Sequence, residues 1–305
     1  MTATTATRAD VYARVTSRIT ADLERGVHPW MKPWGVEHTA GRITRPQRHN
    51  GTPYRGINVL LLWGEAADKG YTAPQWMTYK QAVELKAQVR KGEHGSLVVY
   101  AGRIARTETG ETGEDIEIEI PFMKAYTVFN VGQIDGLPAQ FYARPANPLP
   151  VSERVALAGQ FISGTNATLR HGGNRAFYSV ATDHVQLPPF EAFRDKESYY
   201  ATALHELTHW TGNPRRNARE FGKRFGDQAY AREELVAELG SAFLSADLGI
   251  TPETREDHAG YLDQWLKVLK SDKRAIFQAA AHAQRAADYL HGLQVATSEP
   301  EVVSA

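Results

Sequence analysis

In the stretch Ala203-Leu-His-Glu-Leu-Thr-His-Trp210, His205 and His209 stand four residues apart with Glu206 between them. On an α-helix, positions i and i+4 share a face, so both imidazoles project together and Glu206 sits one step round. That arrangement suits a zinc ion held by two imidazole nitrogens, with a carboxylate poised over a metal-bound water. Ala203, Leu204 and Leu207 give such a helix an apolar side to bury. The bland alternative is an amphipathic helix that carries two His and a Glu by accident. A catalytic zinc needs a third protein ligand and one open position, and the chain offers that ligand. Residues 230–244 read as a second helix bearing Glu233, Glu234 and Glu238, with Leu235, Leu239 and Phe243 as an apolar flank. Glu234 and Glu238 lie one turn apart on a common face. Glu234 is the expected third ligand, and Glu238 the acceptor that orients a ligating imidazole. Glu233 or Glu238 as the ligand stays open. Asn213-Pro214 and the Arg/Gly-rich run to Gly226 form a connector long enough for the second helix to return to the first.

On these residues the chain resembles a zinc metallopeptidase of the gluzincin kind, which joins His-Glu-x-x-His to a later Glu-x-x-x-Asp. Here the second motif is Glu234-Leu-Val-Ala-Glu238, with Glu in place of Asp. The resemblance implies that residues 176–188 contain the edge strand against which such enzymes lay an extended peptide. Tyr178, Val180, Val185 and Leu187 alternate in part, consistent with strands broken near Thr182-Asp183 and stopped by Pro188-Pro189. The expected mechanism has zinc on His205, His209 and Glu234, with Glu206 taking a proton from water and passing it to the leaving amine. A transition-state donor is also required, and Tyr199, Tyr200, His258 and His282 are the candidates.

The 305 residues suffice for two domains. The absence of cysteine excludes disulfides and thiol chemistry and fits a cytoplasmic protein. No apolar run of membrane-spanning length is present, so no membrane partner is expected. A zero net charge conceals an asymmetry. Residues 1–106 hold 16 Lys/Arg against 8 Asp/Glu, residues 107–121 hold six acids and no base, and the rest holds 19 against 21. The basic half is therefore the N-terminal one, away from the expected metal, and nucleic acid is the first partner such basicity suggests.

Helical spacing marks residues 11–24, 57–69 and 78–89, the last with Thr78 as N-cap. A strand is expected at 97–101, an acidic hairpin tip at 107–115, an exposed edge strand alternating acid and Ile at 116–120, and a more apolar strand at 122–131. Residues 143–150 hold three prolines and form the expected linker, which places the boundary near residue 145. Beyond it, 151–162 and the long Ala-rich stretch 258–293 read as helical, the latter broken near Ser271-Asp272.

Four of the six tryptophans precede residue 80. Trp63, on an apolar helix, reads as core. Trp30, Trp34 and Trp76, with Tyr54 and Tyr79, lie among Lys32, Arg45, Arg48, Arg55, Lys80, Arg90 and Lys91. Bases stack on aromatic rings while cations follow the phosphates, so this set is the expected surface for single-stranded DNA. The N-terminal half also resembles the single-stranded-DNA-binding domain of ArdC-type antirestriction proteins, shared with plasmid primases. The matching residues are Pro29-Trp-Met-Lys-Pro-Trp34, Tyr54-Arg-Gly-Ile-Asn-Val-Leu-Leu-Leu62, Trp76-Met-Thr-Tyr-Lys-Gln81, Val89-Arg-Lys-Gly-Glu93, Tyr126-Thr-Val-Phe-Asn-Val131 and Gly136-Leu-Pro138. The C-terminal half resembles the metallopeptidase domain of the same proteins through Leu204-His-Glu-Leu-Thr-His-Trp-Thr-Gly212 and Glu233-Glu-Leu-Val-Ala-Glu238.

The expected fold is α+β in two domains: an α+β single-stranded-DNA-binding domain over 1–145, and a mainly helical zincin-like domain with a small sheet over 146–305. The resemblance implies a plasmid- or phage-encoded protein that shields incoming DNA from host restriction. It also implies a host restriction enzyme or another protein as substrate for the second domain. The rival expectation is a DNA-binding protection module whose zincin domain is structural or dormant.

Overall fold

The computed structural model describes residues 7–31, 44–109, 114–142, 149–222, 227–251 and 258–294. Helices and strands are mixed, and by contacts the chain divides into an N-terminal unit carrying residues 45–146 and a C-terminal unit carrying residues 147–305. The architecture is α+β in two domains.

In the N-terminal unit, helix α1 (Thr7–Glu24) buries Val15, Ile19 and Leu23, spaced four apart along one face. Strand β1 (Gln47–Arg48) precedes α2 (Ile57–Lys69), which is buried from Val59 to Trp63. Arg18 of α1 pairs with Glu65 of α2 and ties the two helices together. Then follow β2 (Gln75–Met77), α3 (Tyr79–Glu84) and β3 (Gln88–Val89). Thr78 caps α3 in a reciprocal capping box with Gln81. The helix is shorter than the expected 78–89. Lys86 turns left-handed at φ 57°, and the chain leaves extended to pair with β6 (Ile134–Asp135).

The long hairpin of β4 (Ser96–Thr109) and β5 (Asp115–Asn130) dominates this unit. The sheet order is β1-β2-β5-β4. What the sequence suggests as separate strands at 116–120 and 122–131 is one continuous strand, because every residue from Asp115 to Val128 pairs with β4. Strand β4 is a sheet edge, and Asn58 of α2 closes part of it. Its side-chain amide donates to Val99 O and accepts from Val99 N, both at 2.8 Å. Of the expected acidic tip at 107–115, residues 107–109 belong to β4 and Asp115 to β5; residues 110–113, and 143–148 of the expected linker at 143–150, lie outside the described residues.

In the C-terminal unit, α4 (Val151–Gly164) leads to a three-stranded sheet, β7 (Thr168–His171), β8 (Phe177–Ser179) and β9 (His184–Leu187), in the order β7-β9-β8. Strand β8 is an edge, antiparallel to β9. Asp183, at φ 48°, makes the turn between them, where the alternation breaks.

Four helices complete the unit: α5 (Lys196–Trp210), α6 (Gln228–Leu248), α7 (His258–Ser271) and α8 (Ala275–Gly292). Asp195 caps α5 and Asp227 caps α6, each accepting a backbone N–H from the first turn. Helix α5 is buried without interruption from Ala203 to Trp210, and α6 from Glu233 to Ala246. Such helices are enclosed on all sides, so their polar residues must find partners inside. The two approach closely where Gly240 meets Thr208. A Cβ at residue 240 would fall 2.5 Å from Thr208 Cγ2, so only glycine fits.

Candidate metal centre and nucleic-acid surface

Helix α5 turns His205 and His209 to one side, and α6 crosses it with Glu234 facing them. His205 Nε2 lies 3.6 Å from Glu234 Oε2, and His209 Nε2 lies 3.5 Å from Glu234 Oε1. Among the described residues, these three form the one group whose ligand atoms converge, all within 4.8 Å of one another and all buried.

The remaining imidazole nitrogens face carboxylates. His205 Nδ1 is 3.3 Å from Glu238 Oε1, and His209 Nδ1 is 3.1 Å from Glu233 Oε1. With a cation bound, each carboxylate would hold the Nδ1–H tautomer and leave the Nε2 lone pair directed at the common point. The donor chemistry therefore fits a divalent cation: two neutral imidazole nitrogens and one carboxylate, converging from two buried helices.

Glu233 is itself clamped. Arg219, buried in the connector between α5 and α6, donates from Nε to Glu233 Oε2 at 2.9 Å and from Nη2 to Oε1 at 2.8 Å. The same guanidinium reaches Thr208 O at 2.6 Å and Thr211 Oγ1 at 2.8 Å. A bidentate Arg–carboxylate fork fixes both groups in plane. The chain Arg219–Glu233–His209 thus runs from the connector to the metal donor set.

The electrostatics follow. Burial alone would lower His209, but the carboxylates of Glu234 and Glu233 outweigh it and push the imidazole up to about 10. Burial would raise Glu234, but His209 and His205 hold it far below the usual carboxylate range. Glu233, which burial would also raise, is held low by His209 and Arg219. The pocket therefore concentrates negative charge where a cation would sit.

A cavity of about 460 Å³ opens above this point. It is lined by His205, Glu206, His209 and Glu234, by Tyr230 and Tyr261, by Phe221, and by Ala176, Phe177 and Tyr178 at β8. The edge strand thus borders the cavity. Its position is secured by Arg216, which stacks on Trp210 at 3.8 Å and pairs with Asp183. Asn213 Nδ2 donates to Tyr178 Oη at 2.9 Å.

Of the four residues considered as transition-state donors, Tyr199, Tyr200 and His282 do not line the cavity. Tyr199 Oη meets His171 Nε2 at 2.9 Å. Tyr200 packs beside Ala158, Ala201 and Ile250, and His282 Nδ1 faces Arg285 at 2.8 Å. The side chain of His258 lies outside those described. Tyr230 and Tyr261 do face the cavity, and neither is among those candidates. Tyr230 precedes Glu234 by one turn, a spacing that signals a shared face. Its hydroxyl is 3.0 Å from that of Tyr261. Burial, Tyr261 and the Glu234 carboxylate all raise the Tyr230 phenol, which therefore stays protonated and able to donate.

In the N-terminal unit the predicted surface divides. Trp30 and Trp76 are 0% and 1% exposed and Tyr54 is 3% exposed, so all three are core rings with no face left for a base. Their indoles and phenol pack because large apolar area outweighs the basic neighbourhood. Arg45 is buried as well. Arg48, Arg55, Lys80, Arg90, Lys91 and Tyr79 are exposed. Arg90 is committed to the fold, donating to Glu93 at 2.9 Å and Gly132 O at 2.6 Å. Lys32 and Trp34 lie outside the described residues.

Comparison with known proteins agrees with both halves. Residues 9–129 match the N-terminal domain of anti-restriction factor ArdC, and residues 156–282 match the zincin-like metallopeptidase family. The Mn(II)-bound crystal structure of antirestriction ArdC from plasmid R388 is 44% identical, superposes with a TM-score of 0.77, and covers 93% of this chain and 98% of its own. The chain belongs to the ArdC antirestriction family. Uncharacterized protein y4eC of Sinorhizobium fredii (strain NBRC 101917 / NGR234) is 43% identical over 97% of this chain and 96% of its own. DNA primase TraC of Escherichia coli is 38% identical over 92% of this chain, which spans 27% of that longer protein. The zincin-like family, the Mn(II)-bound relative and the converging donors together support a divalent metal at His205, His209 and Glu234. Among the described residues no helix is long and apolar enough to cross a membrane.

Proposed function

We propose that this chain is a cytoplasmic antirestriction protein that binds single-stranded DNA through its N-terminal unit and hydrolyses a peptide bond in its C-terminal unit. The observation that carries the hydrolytic reading is the position of Glu206. It is buried, follows His205 directly on α5, and lines the same cavity as the converging donors and the edge strand. A purely structural metal site has no use for a carboxylate there, which weighs against a dormant domain.

Zinc is the metal we assign. Two imidazoles and one carboxylate match the donor set of catalytic zinc, and such nitrogen-rich sites hold zinc more tightly than manganese. When bound, the metal would supply Lewis acidity to a water and to the scissile carbonyl. The chain's own residues do the rest. The edge of β8 receives the extended substrate backbone, and the cavity excludes bulk water. Glu206 accepts the water's proton and delivers it to the leaving amine. Tyr230, kept protonated and backed by Tyr261, donates to the oxygen on which charge develops. The substrate is a protein of the host's restriction apparatus or another protein met during DNA entry. This reading is supported by the antirestriction name of the R388 relative, and the DNA reading by a DNA primase that is 38% identical to this chain.

The test compares wild type with Glu206→Gln, side by side, for metal content, single-strand binding and protection of incoming plasmid DNA from restriction. The variant should keep metal and DNA binding yet lose protection. Equal protection by both proteins would instead establish the rival, a DNA-binding shield with a dormant zincin domain.

A further inference from the structure

The β4–β5 hairpin continues well beyond the core. At its base Val98 and Val128 are fully buried. Farther out, the alternation persists with nothing to cover it: Tyr100 is 55% and Ile104 53% exposed. An apolar face on an exposed arm calls for a ligand or partner.

Register sorts the charge on this arm. Tyr100 pairs with Lys124, Gly102 with Phe122, Ile104 with Ile120 and Arg106 with Ile118, so these eight share one face. Glu117 and Glu119 stand on the other face, where Glu119 pairs with Arg103 at 2.6 Å. Over the paired segments 96–107 and 117–130, the Tyr100 face carries Lys124 and Arg106, and Glu108, paired with Ile116, is the next residue in the same register.

The rings on this face are arranged in a way the backbone accommodates. Tyr100 and Phe122 lie 5.7 Å apart at 57°, and the Lys124 ammonium is 5.3 Å from the Phe122 centroid. They lean over Gly102, where a Cβ would strike the Phe122 ring at 2.8 Å. Glycine weakens a strand interior, and here it opens the space in which the two rings lie. Toward the base, Tyr126 follows on the same face, paired with Val98.

We propose that this face of the β4–β5 hairpin, with Tyr100 and Phe122 as stacking rings and Lys124 and Arg106 as phosphate contacts, is the single-stranded-DNA-binding surface of the protein. It rests on the single-strand reading above and supplies an exposed ring, Tyr100, beside the half-buried Phe122, where Trp30, Tyr54 and Trp76 are core. Unpaired bases offer π-faces to Tyr100 and Phe122, and the backbone follows the cations. Placing Glu117 and Glu119 on the opposite face lowers the repulsion a nucleic acid would meet along this part of the arm, short of Glu108 at its outer end. A second protein copy would suit the isoleucines but gives no reason for that segregation.

The test uses the full chain and a fluorescent oligo-dT, read by anisotropy over a salt series. Tyr100→Ala combined with Phe122→Ala should weaken oligo-dT binding by about tenfold or more, while binding to a duplex of the same length stays unchanged. Tyr100→Phe should bind as wild type, since it keeps the ring. Lys124→Gln should flatten the salt slope by about 0.7, the contribution of one single-strand phosphate. Thr107→Ala, on the opposite face, should change nothing. Wild-type affinity in the double variant would overturn the surface while leaving single-strand binding standing. No oligo-dT binding by the wild type would overturn both. Equal losses on single strand and duplex would show that stacking is not the cause and overturn the assignment. So would a wild-type dimer in sedimentation that Tyr100→Ala dissociates, because the face would then be an interface between copies.

Discussion

Replacing Arg219 by Met removes four hydrogen bonds from a guanidinium whose side chain is 3% exposed and leaves Glu233, 5% exposed, with His209 as its remaining partner among these. Breaking one side of a buried ion pair costs about 3–5 kcal/mol, because the surviving charge stays desolvated. For a unit of this size, each kcal/mol moves the melting temperature by about 2–4 °C, so the midpoint should fall by roughly 6–20 °C. Metal affinity should fall as well, by about 10- to 100-fold, since Glu233 would no longer be held against His209 Nδ1. Calorimetry of the metal-free protein gives the first quantity and competition against a chromophoric chelator the second. Adding Glu233→Leu to Arg219→Met should recover much of the lost stability, because the stranded carboxylate is gone, but none of the lost affinity. An Arg219→Met protein that melts within about 1 °C of wild type would refute the reasoning, since a surface-like pair contributes that little. So would a double variant whose two effects simply add.

Purified protein should carry about one zinc per chain, and Glu234→Ala should lose metal more completely than Glu233→Ala; equal retention in emission spectroscopy would reject Glu234 as the ligand. In the metal-free protein, the folded His209 is held above its ordinary value, so its contribution to stability is fully present below pH 6.5 and is lost as pH rises through about 10. Urea titrations should therefore show falling stability across that window in chelator and a flatter profile with metal bound; identical profiles would remove the imidazole from the linkage. Tyr230→Phe should keep the metal and lower the turnover number by about 10²–10³ with little change in KM; a change in KM alone would make the phenol a binding group.

The convergence of the two imidazoles was legible because its signal is local. Four-residue spacing puts His205 and His209 on one face of a helix, whatever the rest of the chain does. The division of labour among Glu233, Glu234 and Glu238 was harder to read. It depends on the rotation of α6 against α5, and that angle is set where Gly240 meets Thr208, a contact between residues far apart in sequence. Arg219 was hidden for a different reason: in an Arg-rich connector, no pattern separates the guanidinium that folds inward from those that face water. In the N-terminal unit, rings counted by composition misled. Trp30, Tyr54 and Trp76 proved to be core, and the exposed ring of Tyr100 lay in a stretch that reads as ordinary alternating strand. Thr78 announced the start of α3, but its end at Glu84 came from the left-handed turn at Lys86, which no lysine signals.

The contact between Gly240 and Thr208 has a consequence for which ion the protein can keep. Glu234 and Glu238 ride on α6, and the two histidines ride on α5. The separation of these helices therefore acts as a caliper on the donor triangle. A single hydrogen atom at residue 240 sets the jaws, since a methyl group there would meet the threonine at 2.5 Å. Ions differ in preferred bond length by tenths of an ångström. At the proposed site, selection by ionic radius would therefore respond to a residue that belongs to neither the donor set nor the cavity lining.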